Sequence, residues 1–146
     1  MSRETIALAS DHAGYGLKSL LADEIRTLGY DILDLGTDST DSVDYPDFGS
    51  AMGEAVTDGR VTRGVVVCGT GIGISIAANR NPRVRAALCC DETAARLARQ
   101  HNDANVLALG ARLVGEEVAK ACLKVFLETD FEGGRHQRRV DKLGRN

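Results

Sequence analysis

Short apolar runs alternate with helically spaced apolar residues along the whole of this 146-residue chain, and that rhythm limits the fold more than any other feature. Ile6-Ala7-Leu8-Ala9 reads as a first strand. Leu17, Leu20, Leu21, Ile25 and Leu28 then recur at three- and four-residue spacing, an amphipathic helix that Gly29 ends. Asp31 to Leu35 alternates polar and apolar residues, as a strand near a sheet edge does. A polar stretch from Gly36 to Pro46 leads into a helix from Asp47 to Asp58, and Gly64-Val65-Val66-Val67-Cys68 forms a third strand. Helical spacing at Ile72, Ile76 and Ala77 stops before Pro82. Arg85 to Cys89 predicts a fourth strand, and Asp91 is a good N-cap for a helix through Gln100 whose apolar face is Ala94, Leu97 and Ala98. Val106 to Leu109 is the fifth strand; Val118, Ala121, Cys122, Val125 and Phe126 mark the inward face of the last long helix. Repeated β-α alternation with apolar strands predicts an α/β fold, a parallel sheet with helices on both faces. No repeat or linker interrupts residues 1–146, so one domain is expected.

Composition narrows the function classes. Eighteen basic and 21 acidic residues give a net charge of -3, which provides no global field toward nucleic acid or anionic membranes. Met1 to Thr5 carry no apolar signal-peptide core, and no run approaches the ~20 apolar residues of a membrane span. The cysteines at 68, 89, 90 and 122 form neither a C-x-x-C pair nor a zinc-ligand spacing. Reduced thiols in a cytoplasm are the expectation.

In open parallel sheets, ligands bind beyond the carboxyl ends of the strands. Three strands end in groups suited to chemistry: Asp11-His12 after the first, Cys68 to Gly73 after the third, and Arg112 soon after the fifth. The glycines of Gly69-Thr70-Gly71-Ile72-Gly73 let backbone N–H groups converge without Cβ obstruction, and the helix start adds partial positive charge. The pattern is G-x-G-x-G, with Ile74 where a dinucleotide fingerprint has its third glycine. It lacks the lysine of a P-loop, and Ile74 also stands where a thiol phosphatase loop needs arginine. The bland alternative is a tight strand-to-helix turn that binds nothing.

Cys68 stands at the mouth of its strand, which argues for access rather than for an inert core thiol. A free thiol titrates near ~8.5, so a base at neutral pH needs the loop's dipoles to favour its thiolate. Cys89, Cys90 and Cys122 lack that setting and read as structural. His101 continues the stripe of its helix, and a core or C-terminal histidine is as good a reading as a functional one. Asn102 and Asn105 would serve equally as helix terminators, and Asp11 as a chain turn. From Gly133 the tail is basic and nearly free of apolar residues. Its default reading is a solvated tail. If helical, it aligns Arg135 and Arg139 on one face, with Arg138 pointing away, a pair suited to phosphate.

Five segments taken together resemble one family. Ser10-Asp11-His12-Ala13-Gly14, Asp44-Tyr45-Pro46, Cys68 through Asn79, Arg99 through Asn105, and Gly133-Gly134-Arg135-His136 are similar, in the same order, to type B ribose-5-phosphate isomerase. The resemblance implies an aldose–ketose isomerase of ribose 5-phosphate and ribulose 5-phosphate that uses neither metal nor organic cofactor. It implies a five-stranded parallel sheet in a three-layer α/β/α sandwich, working as a homodimer or a pair of dimers. Sites in that family lie at the dimer interface, so His101, Asn102, Arg135 and Arg139 would complete a pocket whose Cys68 belongs to the other chain.

Carried over position by position, Cys68 would take the C2 proton, and amides from Gly69 to Gly73, across Gly71 and Ile72, would stabilise the ene-diolate with help from Asn102. Thr70 would move a proton between O1 and O2, and His101 would protonate the ring oxygen. Tyr45 and Asp11 would contact hydroxyls. His12, Arg112, Arg135 and Arg139 would hold the phosphate. Some relatives replace the cysteine and use a glutamate nearby; Ile74 and Ser75 stand there in this chain, so the thiol must serve. The nearest rival is an isomerase of a hexose 6-phosphate such as allose or galactose 6-phosphate. A non-catalytic nucleotide- or phosphate-binding module is a rival of another class, which the missing dinucleotide fingerprint disfavours. A thiol redox protein using Cys89-Cys90 is a third, weakened because adjacent cysteines form strained disulfides.

Overall fold

The computed structural model describes residues 3–145. In chain order the elements are β1 (Thr5–Ser10), α1 (Tyr15–Thr27), β2 (Asp31–Asp34), α2 (Tyr45–Thr57), β3 (Arg63–Cys68) and α3 (Ile72–Asn79). They continue with β4 (Ala86–Leu88), α4 (Glu92–Asn102), β5 (Val106–Gly110), α5 (Glu116–Glu128) and α6 (Arg135–Leu143). The five strands form one parallel sheet in the order β2-β1-β3-β5-β4. The alternating strand β2 lies on one edge, as its pattern predicts, and β5 intervenes between β3 and β4.

Successive strand residues face opposite sides of the sheet, and the two sides carry separate cores. Ile6, Leu8, Val65, Val67, Leu107 and Leu109 pack against Leu21 and Ile25 of α1, Ala95 and Ala98 of α4, and Leu123 and Phe126 of α5. Ala7, Ala9, Val66, Cys68, Val106 and Ala108 pack against Met52 and Ala55 of α2 and Ile74 and Ala78 of α3. The result is a three-layer sandwich, with α6 laid against α4 at its margin. No helix among the described residues is long and apolar enough to cross a membrane.

Several helical faces differ from expectation. On α5 the buried residues are Ala119, Cys122, Leu123, Phe126 and Leu127, while Val118 is exposed. Two registers of a 3.6-residue stripe share Cys122 and Phe126, and packing between α1 and α4 selects the one that starts at Ala119. On α4 the buried set is Ala95, Ala98 and Arg99, and Leu97 is exposed. Arg99 takes a core place because carbonyls satisfy it: Nε donates to Thr129 at 3.0 Å and Nη1 to Ala104 at 2.7 Å. On α3 the inward residues are Ile74, Ser75 and Ala78, so Ile72 and Ile76 face outward. β4 contains only Ala86 to Leu88, since Arg85 N–H turns to the Asn105 side chain at 2.7 Å.

Candidate active site

At the carboxyl end of the sheet the chain leaves β1 toward one edge and β3 toward the other, which opens a crevice between them. A cleft of about 480 Å³ lies there, lined by Asp11, His12, Tyr45, Cys68, Gly69, Thr70, Ile72, Gly73 and Arg112 among others. Topology therefore brings together the groups after the first, third and fifth strands.

Each is held by its own local bonds. The Asp11 carboxylate accepts from Gly14 N–H at 3.0 Å, closing the turn into α1. His12 Nδ1 accepts from Val43 N–H at 3.1 Å, so the neutral ring carries its proton on Nε2. Cys68 is the last residue of β3, not a residue beyond it, and is only 4% exposed. The expected open access is thus confined to the side of the thiol that lines the cleft. Its Sγ accepts from Gly71 N–H at 3.1 Å. Gly71 holds φ +77, and a Cβ there would lie 2.8 Å from the carbonyl carbon of Leu109, so no other residue fits the turn. Thr70 Oγ1 accepts from Ile72 N–H at 3.2 Å. Tyr45 opens α2 with its ring against Gly73, where a Cβ would lie 2.5 Å from a ring carbon. Arg112 donates its backbone N–H to the Gly69 carbonyl at 2.8 Å, and its guanidinium lies over Gly69.

His101, Asn102, Arg135 and Arg139 are not in this cleft. His101 and Asn102 end α4, and Asn102 lines a separate groove of about 410 Å³ with Asn79, Arg85 and Leu143. The tail is not a loose chain: α6 buries His136 and Val140 and leaves Arg135 and Arg139 exposed. His136 stacks on His101 with ring centroids 4.4 Å apart. Desolvation, then the neighbouring His101 and Arg135, hold the His136 imidazole below its usual range.

The remaining cysteines divide. Burial pushes the thiol of Cys89 up to about 12 and that of Cys122 up to about 11, in keeping with structural roles. Cys90 is exposed, so it is no core residue, and the four thiols are free. Sequence reading missed Lys18, 2% exposed, whose Nζ donates to Asp34 at 2.7 Å and to the Thr37 carbonyl at 2.6 Å. It thereby anchors the segment that leads to Tyr45. The signal was its spacing, since Lys18, Leu21 and Ile25 share the inward face of α1. Ile76 also lines the cleft, on the outward face of α3.

The ribose/galactose isomerase family model matches residues 6–143. Ribose-5-phosphate isomerase B of Escherichia coli is 45% identical over 138 residues, covering 94% of this chain and 93% of that one. The structure of ribose-5-phosphate isomerase B from Clostridium thermocellum superposes with a TM-score of 0.94 at 51% identity, covering 96% and 95% of the two chains. A D-erythrulose-4-phosphate isomerase of Pectobacterium atrosepticum is 40% identical over 141 residues, 96% of this chain and 93% of that one. With matches that span nearly the full sequence and the same fold, the chain belongs to the ribose/galactose isomerase family.

Proposed function

We propose that this protein interconverts D-ribose 5-phosphate and D-ribulose 5-phosphate through a cis-ene-diolate, with Cys68 as the base. The observation that carries the reading is the Cys68 sulfur on the cleft wall, bonded by an amide of the glycine turn, with His12 and Arg112 lining the same cleft. The amide that donates to Sγ stabilises negative charge on sulfur. The thiolate takes the C2 proton of the opened aldose. The resulting oxyanion is met by amides of the Gly69–Gly73 turn, of which those of Gly71 and Ile72 first bond Sγ and Thr70 Oγ1 and pass to the oxyanion as charge develops there. Thr70 passes a proton between O1 and O2, and return of the carbon-bound proton at C1 gives the ketose. Asp11 and Tyr45 bind hydroxyls. His12, through its Nε2–H, and Arg112 take the phosphate, which fixes the carbon acid against the base.

The remaining groups come from a second copy of the chain. His101 opens the furanose by protonating the ring oxygen, Asn102 assists at the ene-diolate, and Arg135 with Arg139 closes on the phosphate. Two observations support this division. The four residues lie outside the cleft of their own chain. Outward-facing Ile72 and Ile76, 49% and 52% exposed, give the cleft rim an apolar surface suited to a partner. A homodimer, or a pair of dimers, in the cytoplasm is the working unit.

The test is a coupled assay with ribose 5-phosphate in EDTA, on wild type and Cys68→Ala. Turnover by the wild type, lost in the variant, is expected. Equal rates in the two would remove the thiol from the mechanism. The same assay with allose 6-phosphate, galactose 6-phosphate and erythrulose 4-phosphate ranks the pentose against shorter and longer sugars; the pentose is expected to lead.

A further inference from the structure

Three side chains of ligand type meet where α4 ends and α6 begins. His101 is in the last turn of α4, His136 is in the first turn of α6, and Glu132 precedes His136 by four residues. Backbone bonds hold them in place. Glu132 N–H donates to the Gln100 carbonyl at 3.0 Å, and His136 N–H to the Gly133 carbonyl at 3.0 Å. Both histidine Nε2 atoms approach one carboxylate oxygen, Glu132 Oε1, at 3.8 Å from His101 and 3.6 Å from His136. The three ligand atoms lie within 4.8 Å of one another.

These separations are informative. Direct N–H···O bonds span about 2.7–3.2 Å, so neither ring bonds the carboxylate. Around a tetrahedral Zn²⁺, bonds of about 2.0–2.2 Å set neighbouring ligand atoms about 3.3–3.5 Å apart. Two edges of the cluster exceed that by only a few tenths of an ångström. The rings are stacked within 12° of parallel, and an ion lying in both ring planes requires one of them to turn. The His101 side chain is 40% exposed and has room to rotate; His136, at 11%, stays fixed. Two imidazoles and one carboxylate suit zinc and its first-row neighbours, whereas calcium and magnesium seek oxygen. Three protein ligands leave a fourth position for water.

We propose that His101, Glu132 and His136 form a binding site for a divalent transition-metal ion of the zinc class, and that the filled site withdraws His101 from sugar chemistry. The binding half stands on this geometry. The inhibitory half rests on the reading of His101 as the ring-opening acid, because a nitrogen that binds the ion cannot carry the proton. Zinc then acts as a reversible brake on an enzyme that needs no metal for turnover.

The experiment is a Co²⁺ titration of EDTA-stripped, dialysed protein followed by visible absorption, before and after alkylation with iodoacetamide. One ion per chain is expected, with d–d bands, no thiolate charge-transfer band and no change on alkylation. Glu132→Gln replaces a half-exposed side chain without disturbing packing, and His136→Asn removes the second ring. Each is expected to weaken binding by at least the roughly 10- to 100-fold that loss of an outer-sphere partner costs a metal site. Added Zn²⁺ should displace cobalt and slow ribose 5-phosphate turnover, with EDTA restoring it and Glu132→Gln escaping the inhibition. Absence of a saturable cobalt spectrum, binding unchanged in both variants, or loss on alkylation would overturn the metal site. Binding with no inhibition would keep the site, overturn its inhibitory half and count against His101 as the acid.

Discussion

The residues proposed to act on the sugar come from two kinds of place. Asp11 and Cys68 stand buried at strand ends, beside the glycine turn, with their geometry set by amides of adjacent loops. Arg135 and Arg139 project from α6 into solvent, and His101 ends α4 partly exposed and stacked on His136. The base and its oxyanion donors gain from rigidity, since their value lies in being aligned before charge develops. Groups that open a ring or grip a phosphate must meet substrate as it arrives, and long exposed side chains do so by moving. Buried and exposed parts thus divide along the chain, and on the proposed dimer they would face each other across one cleft.

The strongest way to break this comparison is at the buried end. Cys68→Ala is expected to lower kcat by about 10²- to 10⁴-fold or more, the range of a general base. A fall in kcat/KM with unchanged kcat would instead mean that the sulfur binds and does not react. Next in size is complementation. Cys68→Ala and His101→Asn, each inactive alone, should regain activity when mixed and allowed to exchange subunits. Random pairing makes half the dimers mixed, each with one intact site of two, so about a quarter of wild-type activity returns. No recovery under verified exchange would show that both residues serve one chain's cleft.

Smaller again is Arg139→Ala. Charged hydrogen bonds contribute about 1.5–3 kcal/mol, so KM should rise roughly 10- to 100-fold with a lesser effect on kcat. Arg138→Ala should leave both within about twofold, since a solvated arginine contributes little. Equal effects at 138 and 139 would mean that general positive charge, not a specific clamp, holds the phosphate.

The two places also differ in how far sequence revealed them. Strand identity, the edge position of β2 and the convergence of Asp11, Cys68 and Arg112 were legible, because apolar runs and glycine turns are local signals with one structural meaning. The order that inserts β5 between β3 and β4 was not, since pairing depends on contacts far apart in sequence. The faces of α4 and α5 were legible to within one residue, and that of α3 was not: α5 starts its stripe at Ala119 instead of Val118 because both registers are apolar and only packing chooses, while Ile72 and Ile76 of α3 face outward. The surface part was least legible. His136 was seen as one letter of a basic tail, yet it is buried against a histidine 35 positions earlier, and Glu132 carried no local signal at all.

The smallest expected effect separates the two faces of the sheet. Cys89 and Cys122 lie in the layer of α1, α4 and α5, opposite the one that holds Cys68. Burial, then for Cys89 the nearby Cys122 and Asp91 and for Cys122 the nearby Asp91 and Glu92, raises these thiols to about 12 and about 11. In the unfolded chain a thiol titrates near ~8.5. Above that pH the unfolded state has released protons that the folded state keeps, so stability falls with rising pH. The contribution is whole below about pH 8.5 and declines as pH climbs toward about 11–12. Urea midpoints should therefore fall between pH 7.5 and pH 10, and Cys122→Ala, though less stable throughout, should show a shallower decline. An identical slope in that variant would mean that the alkaline loss arises elsewhere, and that the layer behind the cleft owes nothing to its neutral thiols.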